Sequence, residues 1–110
     1  MKRTALKRRA SRHERAPDTW TAGVRWMPCE NCGARSAHAH HLIDKAVCRR
    51  EGAPLWDLRN RMLLCMDCHF AHHARTITLR LPAGHPVHEF AAEHGLAWWV
   101  ERRYQTEAAA

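Results

Sequence analysis

Two Cys-x-x-Cys pairs, Cys29-Glu-Asn-Cys32 and Cys65-Met-Asp-Cys68, constrain this chain more than any other feature. Two residues between cysteines let both sulfurs of a pair reach one ion. Four thiolates are the number and type of ligand for a closed tetrahedral structural zinc site. Roughly thirty residues lie between the pairs, where a plain zinc ribbon has about fifteen to twenty. That interval has room to hold something else, and the chain's first histidine cluster lies inside it. A competing scheme gives the zinc His38 in place of one cysteine.

Five cysteines could instead form a disulfide framework. The basic N-terminus would suit the start of an export signal, but no apolar h-region follows it. Metal is therefore favoured over disulfides, in a reducing, cytoplasmic setting. Cys48 is left over, and is expected to be a free thiol. No run of about eighteen apolar residues suggests a membrane span.

With 110 residues, a single domain is expected, and a small domain buries proportionally less surface, which a metal staple offsets. Eighteen Lys and Arg against eleven Asp and Glu give a net charge of +7, with a pI near 9.8. So basic a small domain attracts polyanions, nucleic acid first; the alternative is a surface charged merely for solubility.

Lys2, Arg3, Lys7, Arg8, Arg9, Arg12 and Arg15 oppose only Glu14 in the first fifteen residues, and no apolar face repeats among them. Residues 1–17 therefore read as a basic arm that neutralises phosphates or is simply solvated. Pro17 and Asp18 begin the single folded domain, 18–110, whose core is 29–73. Gly33 after the first knuckle supplies the positive φ such a turn requires. The sequence predicts a strand ending near Ile43 and a loop with a short helical turn over 44–60. It further predicts a strand over Met62–Leu64 and a helix from Asp67 to about Ala74. Alternation over Thr76–Leu81 predicts another strand. Helices follow over Val87–His94, stopped by Gly95, and over Leu96–Tyr104. Trp98 and Trp99 read as core or dimer contacts before base-stacking platforms.

The histidines have a pattern of their own. His40 and His41 are adjacent on the first predicted strand, while His69 and His73 sit one helical turn apart. Imidazole suits a borderline divalent ion, and neutral imidazole also serves as a general base near neutral pH. Adjacent strand residues point to opposite faces, so one ring can hold an ion while its neighbour takes a proton.

Taken together, His40-His41-Leu42-Ile43, Asn60 and Cys65-x-x-Cys68-His69-x-x-x-His73 resemble the HNH nucleases, particularly the zinc-knuckle branch common in phage and restriction enzymes. The resemblance covers Cys29–His73, under half of the chain. It implies a small α+β fold: a ββα-metal, treble-clef-like core stapled by a four-cysteine structural zinc, here with C-terminal helices. It implies His41 as general base, Asn60 as the brace that orients it, and His40, His69 and His73 as ligands of a catalytic ion. His72 competes with His73 for the last role, and Asp44 stands where the family often has proline.

The implied activity is metal-dependent endonucleolytic hydrolysis of DNA, most readily double-stranded, leaving 5′-phosphate and 3′-hydroxyl ends. One divalent ion would serve, Mg²⁺, Mn²⁺, Ni²⁺ or Zn²⁺. Lys7, Arg8, Arg9, Arg12 and Arg61, with Arg49, Arg50 and Arg59, are the expected phosphate contacts. Cutting both strands from one site per chain would need a homodimer or two visits. Two rivals stand beside this expectation. One is a non-catalytic zinc module that binds nucleic acid or protein; the other is the same chemistry directed at RNA or recombination junctions.

Overall fold

The computed structural model describes residues 15–107; the basic arm carrying Lys7, Arg8, Arg9 and Arg12 lies outside the described residues. Among the described residues, five short α-helices and two two-stranded sheets make up a small compact α+β fold. The helices are α1 (Asp18–Thr21), α2 (Lys45–Glu51), α3 (Met66–His73), α4 (Val87–Glu93) and α5 (Ala97–Arg103). The strands are β1 (His38–His41), β2 (Arg61–Leu64), β3 (Arg80–Pro82) and β4 (Gln105–Glu107). No helix of the described residues is long and apolar enough to cross a membrane.

Strand β1 pairs antiparallel with β2, His38 opposite Leu64 and His40 opposite Met62. The period of two then sorts the histidines. His38 and His40 face α3, where the His69 ring lies 4.7 and 5.3 Å from theirs, centroid to centroid. His41 faces the other way and stacks on Trp20 of α1 at 4.1 Å.

The segment between β1 and β2 contains more helix than expected. Lys45–Glu51 forms α2, closed by Gly52 at φ 74°, a left-handed cap that glycine adopts at least cost. Val47 and Cys48 are its buried residues. Cys48 is a free thiol near the carbonyl of Ile43, and burial pushes it up to about 11.

Downstream, the expected strand over Thr76–Leu81 is confined to Arg80–Pro82. Its partner is β4, parallel and only three residues long, with Arg80 opposite Gln105. Thr76 meanwhile donates to Ala71 O in the turn that ends α3. The alternation correctly marks Leu79 and Leu81 as buried, but apolar period alone cannot provide a pairing edge. Helices α4 and α5 cross between β3 and β4 and contribute Val87, Phe90, Ala91 and Val100 to the core under Leu42, Ile43, Met62 and Leu64.

Candidate metal centre and active-site cleft

The four paired cysteines converge. One sulfur from each lies within 4.8 Å of all the others, close enough to hold a divalent metal such as zinc. Sγ of Cys32 and Cys65 are 3.7 Å apart, near the edge of about 3.8 Å for a tetrahedron with Zn–S bonds of about 2.3 Å. The donors around them suit thiolates. Backbone N–H groups of Asn31 and Cys32 point at Cys29 Sγ, and that of Cys68 at Cys65 Sγ, each at 3.4 Å. The Asn31 side-chain amide donates to Cys68 Sγ at 3.4 Å.

Burial, the largest influence on Cys29, raises its thiol; hydrogen bonds outweigh it and bring the group to about 7. Burial pushes Cys68 up to about 12. A bound dication reverses that cost, because it stabilises the deprotonated sulfur directly. All four cysteines meet without His38, whose ring packs against His69 and Phe70 instead.

The knuckle is welded to the sheet that carries the histidines. Glu30 N–H donates to Leu63 O, and its carboxylate accepts from Leu63 N–H, both at 2.8 Å. Cys65 caps α3, so the second sulfur pair and the helix bearing His69 and His73 form one continuous unit.

On that helix, His69 and His73 Nε2 are 3.1 Å apart. Two nitrogens sharing an ion at about 2.1 Å would be about 3.0 to 3.4 Å apart. One nitrogen each from His40, His69 and His73 lies within 4.8 Å of the others. His72 is turned inward, stacked on Tyr104 at 5.5 Å and accepting at Nε2 from Arg103 at 3.1 Å. Of the two competing histidines, His73 thus belongs to the cluster. Burial first, then His72, His69 and His73, pushes His40 down to about 2; burial and the neighbouring His73 also lower His69. Neutral imidazoles with available lone pairs are the form that binds a borderline cation. The donor set fits such an ion.

His40 is oriented from a distant part of the chain. Tyr104 gives its one hydroxyl proton to Leu42 O, so it accepts from His40 Nε2–H at 3.3 Å. That leaves Nδ1 of His40 as the nitrogen with a lone pair. His41 is fixed in the same manner: its Nε2–H donates to Leu55 O at 2.7 Å, leaving Nδ1 basic. Burial lowers the His41 pKa, opposed by the Leu55 bond and reinforced by Lys45. His40, His41, His69 and His73 line one cleft of about 290 Å³, together with Asp44 and Lys45.

Asn60 is fully buried. Its Oδ1 accepts from Ile43 N–H at 2.7 Å and its Nδ2 donates to Ile43 O at 3.0 Å. The side chain thereby extends the β1–β2 ladder past the end of β1 and holds the segment after His41. It positions the strand and touches neither histidine ring through these bonds.

Arg61 has a different occupation from the phosphate contact expected. Its Nη1 donates to the carbonyls of Thr19, Trp20 and Ala22 at 3.3, 2.8 and 2.9 Å, which fastens α1 and brings Trp20 over His41. Arg59 is likewise bound internally, to Asp57 and Glu93. Tyr104, Trp20 and the Leu55 carbonyl were not legible as site elements. The one hint was that Tyr104 is the chain's single tyrosine. Compared with protein-family models, curated proteins and solved structures, the chain matches none.

Proposed function

We propose that this chain is an HNH endonuclease, built on a ββα-metal core, that hydrolyses phosphodiester bonds of DNA. One observation carries the reading: His40, His69 and His73 offer ring nitrogens within 4.8 Å of one another, while His41 lines the same cleft. Tyr104 fixes the His40 ring, and α3, capped by Cys65, carries His69 and His73, so the cluster is anchored from two parts of the chain.

In this reading His40, His69 and His73 would hold a divalent cation, Mg²⁺ or a later transition ion. Bound there, such an ion would supply Lewis-acid polarisation of the scissile phosphate and charge stabilisation at the departing oxygen. His41 Nδ1 accepts a proton from water as the water oxygen bonds to phosphorus. The bond from phosphorus to O3′ breaks, O3′ takes a proton from solvent water while His41 returns its own to solvent, and the products carry a 5′-phosphate and a 3′-hydroxyl. Leu55 O holds the His41 tautomer, and Asn60 holds the backbone that follows it.

Plasmid nicking with Mg²⁺, Mn²⁺, Ni²⁺ and Zn²⁺ in turn tests the assignment. The wild-type chain should nick with at least one ion, and His41→Ala should lose about 10² to 10⁴ in rate with zinc content and melting unchanged. Silence of the wild type with every ion would leave a non-catalytic zinc module.

A further inference from the structure

A second concavity, of about 410 Å³, shares Asp44 in its lining with the histidine cleft. Its walls carry Arg50, Arg75, Arg102 and Arg103 against the single acid Asp44, with Trp98 and Trp99 between them. Arg50 pairs with Glu51 on its own helix at 3.1 Å, and Arg103 reaches His72. Trp99 is half-buried against the core, but Trp98 leaves 51% of its surface exposed. Four guanidiniums and an exposed indole in one groove match the two recurring needs of a nucleic-acid strand: neutralised phosphates and a face for an unstacked base.

Arg75 carries an independent sign. It stands at φ 62° just past α3, where its N–H bonds His72 O and Thr76 N–H bonds Ala71 O. This paired closure of a helix end strongly favours glycine. Arginine is held there against its backbone preference, in the lining of the groove and directly after the helix of His69 and His73.

We propose that this groove binds a single-stranded segment of nucleic acid flanking the phosphate in the histidine cleft, with Arg75 and Arg102 on its backbone and Trp98 stacked on one base. The strand would continue past Asp44 from one concavity to the other. The proposal rests on the nuclease reading for the strand's direction, and its test is of binding alone.

The test uses the zinc-loaded full chain with no other divalent ion, and anisotropy of a fluorescein-labelled single-stranded oligodeoxynucleotide over a range of salt. Trp98→Ala should weaken binding roughly tenfold. Arg102→Gln should reduce the slope of log affinity against log salt by about 0.7. Both variants should retain zinc and melt as the wild type does. Unchanged affinity and slope in both variants would overturn the proposal. So would a loss confined to duplex DNA, or a loss of self-association on light scattering with oligonucleotide binding intact. Groove-dependent binding with no cleavage under any ion would sustain this proposal while removing the nuclease reading. Cleavage that persists while binding ignores both variants would do the reverse.

Discussion

Tyr104 and His40, 64 residues apart, meet through a hydroxyl that accepts from His40 Nε2 and donates to Leu42 O. The segment entering β4 thus orients a ring on β1, and the C-terminal helices become part of the site by delivering that tyrosine. Tyr104→Phe keeps the ring that packs beside His72 and Trp99 and removes only the oxygen. Affinity of the histidine cluster for Mn²⁺ or Ni²⁺ should fall about tenfold or more, read by calorimetric titration. Zinc at the cysteines should stay fully bound, and stability should drop by about 1 kcal/mol.

Asn60→Ala should cost more. It strands the N–H of Ile43 in a fully buried setting and leaves the carbonyl only the Cys48 thiol at 3.6 Å, and an unsatisfied buried group costs about 1 to 3 kcal/mol. A loss of about 1 to 4 kcal/mol on urea denaturation is expected. Its nicking rate at a temperature where the variant is still folded should also fall, because the backbone after His41 loses its brace.

Cys65→Ser tests the other metal set. Cys65 is both a member of the sulfur cluster and the cap of α3, accepting from Cys68 N–H. Binding free energy at such a site is folding free energy. The variant should release zinc to a chromogenic chelator and lose its cooperative melting transition, whereas His73→Ala should do neither.

A pH dependence follows from Asp57. Its carboxylate accepts from the Arg59 side chain and backbone N–H at 2.8 to 3.0 Å, and Arg59 holds it below the ordinary range. The folded state therefore binds this proton less readily than the unfolded chain. The stabilisation is complete above the unfolded value of about 3.9 and is lost as pH falls through the lower folded value. Melting temperature measured from about pH 6 down to about pH 2 should decline less steeply in Asp57→Asn than in the wild type.

The residue pairs that make up the two side-chain clusters were legible in the sequence because each pairing is local. Two residues between cysteines bring sulfurs together in any chain that makes a knuckle, and a step of four from His69 to His73 puts both on one helix face. Adjacent His40 and His41 had to face opposite sides of a strand. Gly33 marked the first knuckle, and its φ of 87° is the positive value that turn requires.

Tertiary packing decided everything that depended on a partner far along the chain. His72 and His73 are indistinguishable by spacing, and only the approach of Arg103 and Tyr104 turned His72 inward. Arg61 carries the same charge as any phosphate-binding arginine, yet three carbonyls of the α1 segment met it first. Residues 76–79 alternate like a strand but found no edge to pair with, since β4 reaches only Arg80–Pro82. Composition and periodicity specify what a residue can bond, and local spacing specifies which neighbours share its face. Which long-range partner claims a side chain is set by the closure of the whole chain around its core, and that is where His40 acquired its tyrosine and His41 its carbonyl.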